Sequence, residues 1–333
     1  MGSSTQFNLS LFSRLFAEKA DKTGCLSFAD FMELSLYAPQ IGYYVRKKLR
    51  VGRQSETDFY TSSSLDTVFP LAITSAATEI LSPNEPAKYT LVEIGAEPNA
   101  GLFQENFAPF KGGQTVQLES PLSIPENSVV ISNELFDAQP FHRLIQKDGQ
   151  WREQGVHQIE GSYQWTLLDH ISDELEEILP QLPQNQTEGY TLDLPVRARH
   201  LLEKIAQKDW KGLFIAFDYG KSWPELSTEC PAGTGRAYHR HQQNNDLLHN
   251  PTEQDLTCHI CWDWLSDTLL QQGFTSVELF SQEAFFIKKA QKLIASTFTD
   301  YPDPLSKPRS QLKQLLHPTL MGQKFQVLVG KRL

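Results

Sequence analysis

Cysteine is scarce, at four in 333 residues. That is too few for a disulfide scaffold and points to a reducing compartment. Positive charge is in deficit as well. Thirty Lys and Arg stand against 40 Asp and Glu, for a formal net charge of −10 and a pI near 5.4. Binding a phosphate backbone needs a basic stripe, so nucleic acid is excluded as a main partner. No apolar run is long enough to span a bilayer. The opening Met1-Gly2-Ser3-Ser4-Thr5-Gln6 has neither a secretory apolar core nor an Arg-rich transit character. A cytoplasmic setting without membrane contact is the expectation. There is no G-x-G-x-x-G, no Walker loop and no G-x-S-x-G nucleophile elbow. What is present is ordinary globular composition, 40% hydrophobic and 11% aromatic. The length fits about two domains or one enlarged α/β domain.

Apolar spacing predicts helices early in the chain. Leu11, Phe12, Leu15 and Phe16 recur at helical intervals. Ser27, with Asp30 three residues on, reads as an N-cap ahead of Phe28, Phe31, Met32 and Leu36, and Pro39 stops that helix. Asp66 is expected to start another, with Val68, Leu71, Ala72, Ala76 and Ile80 as its apolar stripe. From Tyr89 the texture changes to short apolar strands alternating with helices. Tyr89–Gly95, Ser128–Ser132 and Leu213–Phe217 are such strands, and Lys324–Val329 is a final one. Continuous apolar strands of this kind build a parallel sheet covered on both faces. Leu144–Asp169 alternates apolar and polar residues, with turn signals at Asp148-Gly149 and Gly161-Ser162. It reads as an antiparallel insertion, followed by a helix from Pro195 to about Gln207.

Ligands of open parallel sheets bind at the carboxyl ends of the strands, and three strand ends here are polar. Glu93-Ile94-Gly95 through Gly101 is a strand, a glycine turn and an expected helix start, where amides and the positive helix end can face an anionic or nucleotide-like ligand. Taken alone, a plain strand-to-helix turn explains it more simply. Asn133, Glu134 and Asp137 follow the second strand; they either form a site or cap a helix. Asp218 follows the third. His239, His241, Cys258 and Cys261 could supply zinc ligands, but their spacing fits no standard finger, so no metal is expected.

Taken in order, these blocks resemble the MidA family of S-adenosylmethionine-dependent methyltransferases, which includes a mitochondrial complex I assembly factor that dimethylates an arginine. The resemblance rests on Phe31-Met32-Glu33-Leu34, Tyr37, Pro39 and Gly42-Tyr43-Tyr44, then Asp58-Phe59-Tyr60-Thr61-Ser62 and Glu93-Ile94-Gly95. It continues through Asn133-Glu134-Leu135-Phe136-Asp137-Ala138-Gln139-Pro140, Asp218-Tyr219-Gly220, Gly233–Tyr238, Arg240-His241 and Asp255-Leu256-Thr257, and closes with Met321-Gly322 and Phe325. The sequence departs from the family pattern at Ala96–Ala100, where glycines are usual, and at Cys261, where an Asp is usual. The stretch from Gly101 to Ser128 is also short for the helix–strand–helix–strand that normally follows.

The resemblance implies an α/β fold of the class I methyltransferase, Rossmann-like kind. In it, residues 1–85 form a helical N-terminal extension, and residues 86–333 form the doubly wound core with an antiparallel insertion at about 141–193. It implies S-adenosyl-L-methionine as cofactor, held by Glu93, Gly95, Gly101, Asp58, Tyr60, Thr61 and Ser62, with Glu119 placed for the ribose. It implies Glu134, Asp137 and Asn133 as catalytic residues and a protein substrate presenting an arginine. A homodimer stays open, as does a binding or assembly protein that keeps the fold without turnover.

Overall fold

The computed structural model describes residues 2–46, 67–96, 101–103, 106–118, 120–239 and 242–333, with residues 2–6 as backbone alone. Its centre is a six-stranded sheet. The strands are β1 (Thr90–Ile94), β2 (Gly112–Val116), β3 (Asn127–Asn133), β4 (Lys211–Asp218), β5 (Ser276–Ser281) and β6 (Gln326–Arg332). Their order is β2-β1-β3-β4-β6-β5. β2, β1, β3 and β4 run parallel. β6 runs antiparallel to both β4 and β5.

Alternation along the strands builds two layers, because successive side chains leave a strand on opposite faces. Val129, Ile131, Leu213, Ile215 and Phe217 pack on one face with Phe69, Ile73 and Ala76 of the helix α3 (Val68–Leu81). Val130, Phe214 and Ala216 pack on the other with Leu202 and Ile205 of the helix α4 (Val196–Ala206) and with Trp262 and Leu265. Both faces of β3 and β4 are therefore dry, which explains why these strands read as unbroken apolar runs.

At the N-terminus lie α1 (Gly2–Lys19) and α2 (Phe28–Tyr37). Ser27 caps α2 as expected: its Oγ accepts the Asp30 N–H at 3.1 Å and donates to Asp30 Oδ2 at 2.9 Å. A second, antiparallel sheet contains His142–Lys147, Gln150–Ile159, Ser162–Leu167 and Thr191–Leu194, and Cys25–Ser27 pairs onto its Gln150–Ile159 strand. Its first hairpin turns at Asp148 (φ 51°) and Gly149 (φ 74°). The second turns at Glu160 and Gly161, one residue earlier than the turn signal suggested. Phe12, Phe16, Phe28 and Phe31 share a core with Phe141 and Val156, so the N-terminal helices lie on this sheet. The Arg197 guanidinium of α4 fastens α2 further, reaching Asp30 at 2.7 Å and Glu33 at 2.6 Å.

Three sequence expectations need correction. Residues 101–103 and 106–110 are turns and coil, so Gly101 opens no helix among the described residues. In keeping with the shortness of the stretch from Gly101 to Ser128, no strand lies between β2 and β3 among the described residues, and β2 stands at the sheet edge. Asn133 caps no helix either, since residues 134–140 are bends and turns. The final strand is displaced, running to Arg332, because its register is fixed by pairing from Gln326–Asp218 to Arg332–Gly212. The expected helix start at Asp66 lies outside the described residues; α3 is seen from Val68, and Thr67 makes no side-chain cap bond.

Candidate functional site

β1, β3 and β4 are neighbours, so their carboxyl ends open side by side. At the end of β1, Glu93 is 6% exposed. Its Oε2 accepts the Leu102 N–H at 2.8 Å and ties the returning chain to the strand. Burial pushes this carboxyl up to about 7. Gly95 has φ 83°, and a Cβ there would stand 2.7 Å from Leu135 Cδ1. A side chain is thus excluded both by backbone conformation and by the turn opposite. A Cβ on Gly101 would meet Glu93 Oε2 at 3.3 Å. Glu93, Gly95 and Gly101 therefore belong to one compact loop.

At the end of β3 the chain bends sharply. Glu134 adopts φ 51°, a conformation uncommon for a residue with a side chain. Its N–H donates to Phe217 O at 2.9 Å, and Asn133 Nδ2 donates to its Oε1 at 3.1 Å. The turn folds around Asp218, which is fully buried at the end of β4. Asp218 Oδ2 accepts the N–H of Phe136 at 2.9 Å and of Asp137 at 3.4 Å, while Oδ1 accepts its neighbour Tyr219 N–H at 2.8 Å. The expected helix amides are thus satisfied by one distant carboxylate.

More acid and phenol converge here than the sequence reading assigned. Tyr44, in the segment after α2, donates to Asp255 Oδ1 at 2.9 Å. Tyr37 stacks on Tyr44 with centroids 5.7 Å apart and donates to Ala138 O at 2.9 Å. Tyr238 pairs in register with Asp255. Burial and then the charges of Asp218, Glu134 and Asp255 hold the Asp137 carboxyl well above the usual range. Burial and then Glu134 and Asp137 raise the Tyr219 phenol, so that ring faces the same acids. Tyr37, Tyr44 and Asp255 all stood in the blocks that carried the family resemblance, but no periodicity connects positions 211 residues apart.

The structure brings Asn133, Glu134 and Asp137 together at one strand end and Glu93, Gly95 and Gly101 at the next. Asp58, Tyr60, Thr61, Ser62 and Glu119 lie outside the described residues. Among the described residues, no group of three His, Cys, Asp or Glu could hold a metal. His239 Nδ1 lies 2.8 Å from Glu253 O, and the Cys258 N–H donates to Asp137 O at 3.0 Å. His241 is outside the described residues.

An open α/β sheet with a glycine turn and polar strand ends at its carboxyl edge is the architecture of a nucleotide-cofactor enzyme. The family model for S-adenosyl-L-methionine-dependent methyltransferases matches residues 76–279, and the chain belongs to that family, the MidA methyltransferases. It is 24% identical to the Danio rerio "Protein arginine methyltransferase NDUFAF7, mitochondrial", across 97% of this chain and 87% of that one. With the Drosophila melanogaster homolog the identity is 22%, across 92% and 81%. A Burkholderia thailandensis protein crystallised with S-adenosyl-homocysteine has the same fold, with a TM-score of 0.86 at 22% identity over 100% of this chain and 94% of that chain.

S-adenosyl-L-methionine is accordingly the cofactor, and the strand ends fit it. The turn at Gly95 carries no side chain, which leaves the backbone open to close approach, and Asn133 Oδ1 is buried with no hydrogen-bond partner among the described residues. When bound, the cofactor supplies an electrophilic methyl group.

Proposed function

We propose that this protein methylates an arginine of a protein substrate. The observation that carries the reading is the acid-and-phenol cluster of Glu134, Asp137, Asp255, Tyr44 and Tyr219 beside the cofactor loop. Carboxylates bind the planar guanidinium group through paired, charge-assisted hydrogen bonds, and the net charge of −10 suits a cationic partner. Catalysis then consists largely of holding the nitrogen in line with the methyl carbon. The names of the Danio rerio and Drosophila melanogaster relatives support the same substrate class.

Glu134 is the residue on which this reading is tested. Glutamine at this position keeps the shape and the Asn133 contact but removes the charge. Purified protein is incubated with S-adenosyl-L-methionine and a native protein extract, and methylated arginines are read by mass spectrometry. New arginine methylation is expected with the parent, with a loss of at least about tenfold in Glu134→Gln, the worth of one lost charge-assisted bond. Cofactor affinity and melting temperature should stay close to parental. Equal methylation by both would overturn the role of Glu134.

The departure at Ala96–Ala100 favours one alternative, a cofactor-binding assembly protein without turnover. The same experiment separates the two, because that protein would bind S-adenosyl-L-methionine and leave every arginine unmodified.

A further inference from the structure

Asp137 and Asp218 are neighbouring buried acids, both raised above the usual carboxylate range by burial, but they differ in their hydrogen bonds. Asp218 is supplied with three amide donors, from Phe136, Asp137 and Tyr219, which favour its charged form. Asp137 is 5% exposed, and its Oδ1 has no hydrogen-bond partner among the described residues. The groups facing it come from every surrounding element. Asp218 and Tyr219 stand at the end of β4, and Glu134 in its own turn. Asp255 stands on the strand Asp255–Thr257, with the buried Cys258 just beyond it. Tyr37 ends α2 and Tyr44 follows it, and Tyr238 stands on the strand Arg236–His239 with Arg236 near it. The acids around Asp137 are like charges, so it keeps a proton, as in other carboxyl pairs that share one site. An incoming cation reverses that preference.

This inference rests on the arginine reading and deepens it. We propose that Asp137 exchanges a proton with the substrate, releasing one when the cationic methyl acceptor enters and taking one back when the nitrogen is methylated. On entry, the guanidinium pairs with the Asp137 carboxylate, and the displaced proton passes to solvent. In the transfer the nitrogen–carbon bond forms from the nitrogen electron pair. The carbon–sulfur bond breaks with its pair left on sulfur, which goes from sulfonium to neutral thioether. The proton shed by that nitrogen goes to Asp137 Oδ1. The product remains a methylguanidinium cation, but Asp137 is neutral again, so the charge pair that held the substrate does not hold the product. One proton per methyl group reaches solvent, as the overall reaction requires. Asp218 is the positioning residue, since its carboxylate fixes the backbone on which Asp137 stands.

Calorimetry tests this with N-acetyl-arginine amide as probe, in the presence of S-adenosyl-homocysteine, in two buffers of different ionisation heat. The parent is expected to release close to one proton per probe bound near neutral pH, and Asp137→Asn none. Probe affinity for the parent should fall about tenfold for each pH unit below neutrality, and stay flat in the variant. No proton release by the parent, or equal release by the variant, overturns the inference and leaves the arginine reading standing. No binding of the probe by the parent overturns the arginine reading and this inference with it. If Asp137→Asn does not fold, as judged by its melting curve, the pH dependence of the parent decides alone, and pH-independent affinity overturns the inference.

Discussion

Replacing Glu93 with glutamine should make the protein more stable in neutral and alkaline solution and change little in acid. Glu93 is buried at the end of β1, and burial raises its carboxyl from 4.5 to about 7. Between those two values the folded chain binds more protons than the unfolded chain. Stability attributable to this group therefore falls as pH rises through that window. At about 1.4 kcal/mol per pH unit, the gap between 4.5 and about 7 comes to about 3 kcal/mol. Glutamine carries no charge, and its side-chain carbonyl can still accept the Leu102 N–H that Glu93 Oε2 now accepts at 2.8 Å. Urea unfolding of both proteins near pH 4.5 and near pH 8 measures the difference. Glu93→Gln should gain about 3 kcal/mol relative to the parent between the two conditions. Parallel pH profiles would refute the reasoning, because they would mean that Glu93 is not desolvated by its surroundings. The same variant reports on the cofactor. If Glu93 acts by tying down the loop, S-adenosyl-homocysteine affinity should change by less than about threefold, or about 0.7 kcal/mol.

Gly95→Ala should weaken S-adenosyl-homocysteine binding and cost about 1–2 kcal/mol of stability, from the side chain at φ 83° and its collision with Leu135; unchanged calorimetric affinity and melting would show that the turn tolerates a Cβ. Asp193→Ala should cost about 3 kcal/mol or more in urea unfolding. It strands the half-buried Arg143 guanidinium, bound to Asp193 at 2.7 and 3.0 Å, and frees the Thr234 and Gly235 amides that Asp193 Oδ2 accepts; a loss below about 1 kcal/mol would mean that water replaces these bonds.

The parts of the fold that were legible in the sequence are those set by neighbours along the chain. Val129, Val130 and Ile131 spell a strand dry on both faces without help from the rest of the molecule. Ser27 and Asp30 spell a helix start because the capping geometry spans three residues. Asp148-Gly149 spells a hairpin because both positions need positive φ. The turn after β3 was illegible for the converse reason. Asn133, Glu134 and Asp137 are the residues that would also cap a helix, and only the carboxylate of Asp218, 82 residues from Phe136, decides against it. By accepting those amides, Asp218 removes the need for a helical partner. The Tyr44–Asp255 contact, across 211 residues, is hidden for the same reason. At β1 the sequence pattern of strand and glycine turn suggested a helix at Gly101. Here the returning amide at Leu102 is satisfied by Glu93 instead.

Glu134 shows how these long-range contacts become a site. A non-glycine residue at φ 51° costs roughly 1–2 kcal/mol relative to ordinary backbone. The strain persists because both sides of the residue are held. Its own N–H is bonded to Phe217 O on β4. Two residues later, Phe136 N–H is bonded to Asp218, the next residue of that strand. A helix in this place would point its first amides along its own axis; the strained turn points them back into the sheet. The carboxyls of Glu134 and Asp137 are then left on the side where Asp255, Tyr219 and Tyr44 stand. Like charges so close to one another oppose folding. They are kept there by a strained turn whose two sides are anchored on β4, by the Phe217 carbonyl and the buried Asp218 carboxylate.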